Sequence, residues 1–396
     1  MQKRSSDPAA DKSLRVLHYT ESWLPQTQTW QHNQLRFMPE GIECFVACER
    51  TQSPGQFPVA NLNSFEDLPV WSRVWQKAAR KAGMRNHLPF VIDLARKAHI
   101  PLLHTHFGDA GWAYSAAAQR AGLRHVVGFY GFDMSQLPRE ARWRERFRDL
   151  FARVDRVLCC WGPVMANQLL ELGCPEAKLT VQHLAIDLDA IPFVPRQWDG
   201  NEPLRVLIAG RFAEKKGITY AIDSLARVST RVPIDVTIIG DASVASDLAE
   251  KQAILDAIER GGLVDKVRML GFQPQSVMFE EAYKHHVYLS PSVIATNGDT
   301  EGGAPVAVAE MMATGMPVVA THHCDIYELM PADKLGVLLA PEREVDGLVD
   351  ALMWLVEHPR DWQSLAAEAR ENLNREFNPR IQGERLAAIY RQVMSN

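Results

Sequence analysis

The octapeptide Gly210-Arg-Phe-Ala-Glu-Lys-Lys-Gly217 directly follows an apolar run, Leu204–Ala209, and precedes a stretch with Ile218, Ala221, Ile222 and Leu225 at helical spacing. Two glycines let the backbone turn tightly, Arg211 offers a planar fork to phosphate oxygens, and Lys216 adds a mobile point charge near the helix start. A diphosphate is the ligand such a loop fits. Taken alone, the same run is also compatible with a solvated basic turn.

A second run, Glu301-Gly-Gly-Ala-Pro305, opens a helix that carries Glu310 and closes at Gly315. Gly302 and Gly303 expose backbone N–H groups beside the positive end of that helix, a ready anion site. Glu301 and Glu310 are acceptors for the vicinal hydroxyls of sugar and ribose rings. Their alternative reading is plain: a charge complementing the helix dipole and a polar residue on a helix face.

These loops need strands to hold them. In the front half Leu14–His18, Glu43–Ala47, Leu102–His106, His125–Phe129 and Arg156–Cys160 read as strands. Helical patterns over 111–119, 139–154 and 163–172 alternate with them. Periodicity lapses between Pro192 and Pro203, then resumes with strands at Leu204–Ala209, Ile234–Gly240, Val267–Leu270, Val287–Ser290, Met316–Ala320 and Gly336–Leu339. The expected fold class is therefore α/β, two Rossmann-like doubly wound parallel-sheet domains facing each other across a cleft. The expected boundaries are 1–195 for the first domain, 196–378 for the second, and 379–396 for a C-terminal helix packing back on the first domain. Ligands of such sheets sit at the carboxyl ends of strands, where both motifs fall.

Together the motifs resemble those of glycosyltransferase family 4, retaining enzymes of GT-B architecture, whose signature pairs a G-R-x-x-x-x-K-G loop with an E-G-x-P…E-A-x-A-x-G-x-P-V-V stretch. Gly240-Asp241, Val267–Gly271 and Phe129-Tyr-Gly-Phe-Asp133 match further family positions, and Trp23–Gln34 resembles a loop of exopolysaccharide and colanic-acid-type members. The resemblance implies that Arg211, Lys216, Gly302 and Gly303 bind the donor diphosphate and Glu310 the ribose. It implies likewise that Ala304, Pro305 and Asp133 hold the donor sugar, that Glu301 and Tyr130 stand at the reaction centre, and that the domains 1–195 and 196–378 are the acceptor-side and nucleotide-sugar-binding ones, with Thr27, Thr29 and Gln34 on the acceptor side. It further implies a retaining, metal-independent transferase with no cofactor, using a UDP- or GDP-sugar and a saccharide acceptor, lipid-linked, in surface polysaccharide synthesis. Three departures are visible: Tyr130 replaces the family's usual histidine, one extra residue separates Glu301 from Pro305, and the first loop, Trp23–Gln34, lacks the family's frequent paired glycines. A non-catalytic nucleotide-sugar-binding or membrane-associated module on the same fold is the alternative reading.

Composition fits this frame. The 396 residues are 46% hydrophobic and 23% charged, about twice a typical domain. No apolar leader and no long uncharged apolar stretch is present, so the expected location is cytoplasmic. Up to Pro195 there are 23 Lys and Arg against 19 Asp and Glu, leaving 20 against 29 beyond. Trp71–Ile100 holds seven of those basic residues against Asp93 alone, with Trp71 and Trp75 interleaved. An anionic membrane surface is the partner this segment suggests, making the protein peripheral at the inner face of the cell membrane. Nucleic acid is not expected, because the chain is acidic overall and lacks a binding motif. Six cysteines show no CxxC spacing, and the histidine pairs His104/His106, His285/His286 and His322/His323 lie in separate segments, so no metal site is expected.

Overall fold

Runs of Val, Ile and Leu too short for helices become strands buried on both faces, as a parallel sheet requires. In a computed structural model the residues described are 13–23, 29–52, 55, 58–81, 88–329 and 337–395. The first sheet comprises β1 (Leu14–Trp23), β2 (Ile42–Thr51), β3 (Leu62–Ser64), β4 (Leu102–His106), β5 (Arg124–Phe129), β6 (Arg156–Cys159) and β7 (Leu179–Val181). The second comprises β8 (Leu204–Ala209), β9 (Ile234–Ile239), β10 (Val267–Met269), β11 (Val287–Ser290), β12 (Val318–Thr321) and β13 (Val337–Ala340).

All the pairings within these sheets are parallel. The spatial orders are β3-β2-β1-β4-β5-β6-β7 and β10-β9-β8-β11-β12-β13. Strand order therefore reverses between β1 and β4 in one sheet and between β8 and β11 in the other. Loops leave such a seam in opposite directions and open a crevice at the carboxyl ends of the strands. The loop 210–217 follows β8 and the loop 291–305 follows β11, so both motifs border the crevice of the second sheet.

The linker between the sheets is pinned. Arg196 donates from Nε to the His285 carbonyl at 3.0 Å and from Nη2 to the Ala282 carbonyl at 2.9 Å. Arg370 donates to the carbonyls of Leu188 and Ala313, both at 2.6 Å, bridging the linker to the second domain. One apolar cluster runs continuously from Val126 and Leu158 through Ile186 and Leu188 to Met311 and Val318, spanning both domains. The helix Pro379–Ser395 returns to the first domain, where the Tyr390 hydroxyl lies 2.6 Å from His104 Nδ1.

Candidate active site

Lys216 ends a short turn after β8, and its Nζ lies 2.9 Å from Oε1 and 3.0 Å from Oε2 of Glu301. Ser292 Oγ donates to the same carboxylate at 3.3 Å. Lys215 Nζ donates to the Thr300 carbonyl at 2.8 Å and pairs with Asp299 Oδ2 at 3.2 Å. Burial pushes the Glu301 carboxyl up, but the Lys216 and Lys215 ammonium groups outweigh it and hold the group below the ordinary carboxylate range. The site thus keeps a charged carboxylate and a lysine poised on it.

The backbone of the Glu301 loop is fixed from behind. The Glu301 N–H donates to His323 Nε2 at 3.1 Å, while His323 Nδ1 lies 2.7 Å from Glu342 Oε1. These contacts assign the tautomer: the proton sits on Nδ1 and points to the carboxylate. Gly302 has φ of 78°, and a Cβ there would lie 2.2 Å from Gly131 Cα. At Gly303 a Cβ would lie 1.9 Å from Trp161 Cδ1. Only glycine lets the loop touch the opposite domain so closely.

Glu310 projects from the helix Val306–Ala313 and accepts from Gln275 Nε2 at 2.7 Å. Burial pushes its carboxyl up to about 7 against that hydrogen bond. Arg211 is half exposed at the rim, its Nε 3.7 Å from Asp247 Oδ2. Ala304 and Pro305 are buried at the start of the same helix. Arg211, Lys216, Glu301, Gly302, Gly303 and Glu310 all lie on the loops and helices that follow β8 and β11.

Two residues sit differently from the sequence-based expectation. The Tyr130 side chain folds back toward Gly128, and its hydroxyl lies 2.5 Å from His106 Nδ1 in the interior. A tyrosine is long enough to reach that partner, so its oxygen is committed to the protein. Asp133 is fully buried and accepts from the N–H groups of Gly108 at 2.9 Å and of Tyr130 and Gly131 at 3.0 Å each. Its carboxylate shapes the loops after β4 and β5, and the carbonyl of Glu301 rests against Gly131.

Of the residues expected on the acceptor side, Thr27 lies outside the described residues, Thr29 opens the helix Thr29–Arg36, and Gln34 faces a small recess shared with Trp30, Gln182 and Gln382. Sequence reasoning gave no site role to Lys215, Gln275, Ser292, Trp161 or His323. Only the neighbourhood of Lys215 and His323 to recognised motifs marked them in the sequence; the others are brought in by folding.

Across the cleft the domains touch through polar contacts as well. Ser135 Oγ donates to Asp299 Oδ1 at 2.9 Å, and Asp325 accepts from the N–H groups of Val164 at 2.8 Å and Met165 at 3.2 Å. Asp325 thereby supplies the N-terminal acceptor for the helix Pro163–Glu171 of the other domain.

The sequence pattern of Glycosyl transferases group 1 matches residues 203–358, and that of Glycosyltransferase Family 4 matches residues 36–190. The chain is 30% identical over 311 residues to the amylovoran biosynthesis glycosyltransferase AmsK of Erwinia amylovora, covering 78% of this chain and 72% of that protein. It is 31% identical over 292 residues to the putative colanic acid biosynthesis glycosyltransferase WcaL of Escherichia coli, covering 72% and 68%. Among solved structures it resembles Anabaena HepE in complex with UDP, with a TM-score of 0.77 at 15% identity over 96% of this chain and 100% of that one. Sucrose-phosphate synthase from Thermosynechococcus elongatus aligns with a TM-score of 0.71 at 16% identity, over 96% and 99%. These likenesses give the fold as GT-B.

Proposed function

Since the chain belongs to the group 1 glycosyl transferases, we propose that it moves a sugar, with retention at the anomeric carbon, from a UDP- or GDP-sugar to a lipid-linked saccharide in exopolysaccharide synthesis. The observation that carries this reading is the convergence of Lys216, Glu301 and the Gly302–Gly303 backbone beside the start of the helix Val306–Ala313. The exopolysaccharide roles in the names of AmsK and WcaL support the class of product, and the UDP and UDP-glucose bound to Anabaena HepE support a uridine diphosphate donor.

In the proposed reaction Lys216 and Arg211 bind the diphosphate, with the Gly302 and Gly303 N–H groups completing an anion cradle. Glu310 accepts hydrogen bonds from the ribose hydroxyls, displacing Gln275. Glu301, Ala304 and Pro305 hold the donor sugar. The bond from the anomeric carbon to the diphosphate oxygen breaks while the acceptor oxygen attacks the same face, and the acceptor proton passes to the departing phosphate. The cationic side chains and helix end stabilise the charge that develops there, so no divalent cation or cofactor is required for the transfer. Asp133 and Tyr130 act by fixing the loop that meets Glu301 and Gly302. Thr27, Thr29 and Gln34 belong to the acceptor side.

Residues with a membrane role are proposed on the helix Val70–Lys81. Its outward face carries Val70, Trp71, Val74 and Trp75, with Trp71 76% and Trp75 56% exposed, alongside Arg73 and Lys77. An apolar strip flanked by basic residues suits a cytoplasmic protein resting on an anionic membrane where its acceptor lies. Arg85, of the same basic segment, lies outside the described residues, within which no helix is long and apolar enough to cross a membrane.

Thermal unfolding in excess EDTA with UDP, GDP, ADP or CMP tests the donor assignment. Selective stabilisation by UDP or GDP supports it; equal midpoints with every nucleotide favour a module that binds no donor.

A further inference from the structure

Three histidines meet inside the first domain, at the seam where strand order reverses. Parallel pairing sets His18 of β1 beside His104 of β4, and His106, two residues on, shares the face of His104. All three are buried, with ring centroids 4.5 Å apart for His104 and His106, 5.0 Å for His18 and His104, and 5.4 Å for His18 and His106. One ring nitrogen from each lies within 4.8 Å of the others.

Hydrogen bonding sorts the six nitrogens. His104 Nδ1 is 2.6 Å from the Tyr390 hydroxyl, and His106 Nδ1 is 2.5 Å from the Tyr130 hydroxyl. His106 Nε2 faces His18 Nδ1 at 3.1 Å. Nε2 of His18 and Nε2 of His104 are buried and have no hydrogen-bond partner. A buried lone pair without a partner is unfavourable, and His104 Nε2 is such an atom; His18 Nε2 carries that ring's proton once Nδ1 serves as the ligand.

We propose that His18, His104 and His106 form a structural site for a divalent transition ion of the zinc type, with the Tyr390 and Tyr130 hydroxyls orienting two of the ligands. An Nδ1–H donated to a phenol oxygen turns the Nε2 lone pair of His104 and His106 inward, which is how ligating histidines are held by an outer oxygen. The 3.1 Å between His106 Nε2 and His18 Nδ1 is close to the roughly 3.3 Å that separates tetrahedral ligands of an ion at zinc–nitrogen distance. His104 Nε2 supplies the third nitrogen, and a water completes the tetrahedron. The ion would tie β1 and β4 to the C-terminal helix through Tyr390 and to the loop after β5 through Tyr130. It stands apart from the diphosphate loop, so the site does not depend on the glycosyl-transfer reading.

The test is titration of the chelator-stripped, desalted full chain with Co2+ alone, followed by visible absorption and thermal unfolding. The expected result is about one bound equivalent with the visible bands of four-coordinate Co2+, a raised midpoint, and loss of the bands on adding Zn2+. His104→Gln and His18→Leu abolish the bands, and Tyr390→Phe weakens Co2+ binding roughly 10- to 100-fold with all ligands intact. UDP stabilisation in EDTA is measured on the same samples, so failure of the donor site and failure of the metal site are read separately. A folded wild-type protein that shows neither visible bands nor stoichiometric binding overturns the proposal, whether or not the variants fold.

Discussion

Lys216 and Glu301, 85 residues apart in sequence, form a two-point contact in which one ammonium spans both carboxylate oxygens at 2.9 and 3.0 Å. In the proposed reaction this pair sets a diphosphate-binding charge against the carboxylate that takes the donor sugar. On that reading a donor draws Lys216 away, and both groups then face substrate.

Lys216→Ala removes a charge-assisted contact to the diphosphate and leaves Glu301 unneutralised beside an anion. Calorimetric titration of UDP should show affinity reduced roughly 10- to 100-fold, the value of about 1.5–3 kcal/mol for a lost charged hydrogen bond. Unchanged affinity would place the diphosphate elsewhere.

Glu310 gives the account a pH signature. Its folded-state carboxyl stands at about 7, above the ordinary value, so its ionisation costs folding stability progressively from the ordinary carboxyl range up to about 7 and no further beyond it. The ionised form is the better acceptor for ribose hydroxyls. Binding of UDP-glucose, whose diphosphate does not titrate here, should therefore tighten between about pH 6 and about pH 8. Glu310→Gln should flatten that profile; a wild-type profile already flat contradicts the ribose role.

Gly303 meets the opposite domain at Trp161. Its Cβ position, 1.9 Å from Trp161 Cδ1, leaves no room for a methyl group without moving the loop or the opposite domain. Gly303→Ala should reduce transfer at least about 10-fold while circular dichroism remains that of the folded protein, and Trp161→Ala in the same chain should restore part of it. Full activity in Gly303→Ala would show that the closed contact is dispensable.

Much of this was legible before folding. Arg211, Lys216, Glu301 and Glu310 stand in loops and a helix that directly follow strong apolar runs, and in a parallel sheet that location is itself a ligand address. The long strands were equally plain. β3 and β7, three residues each at sheet edges, were not, because Leu62–Ser64 and Leu179–Val181 are too short to show a period. Nor was the meeting of His18 with His104, which depends on β1 pairing with a strand more than eighty residues away. The inward turn of Tyr130 was hidden for the same reason: it is set by a partner, His106, supplied by another strand.

The helix Val70–Lys81 supplies a test of location. Trp71→Ser with Trp75→Ser removes the two largest apolar side chains of its exposed face. Cosedimentation with vesicles containing phosphatidylserine should fall by roughly 10-fold or more, with UDP affinity unchanged. Equal sedimentation of variant and wild type would move membrane contact to another surface.

The most direct measurement is donor turnover followed by 31P and 1H NMR, in excess EDTA, with UDP- and GDP-sugars and a lipid-linked saccharide extract as acceptor. The account predicts release of one nucleoside diphosphate and a product whose anomeric configuration matches the donor, both lost in Lys216→Ala. Intact donor under every pairing, or a product with inverted configuration, would contradict it.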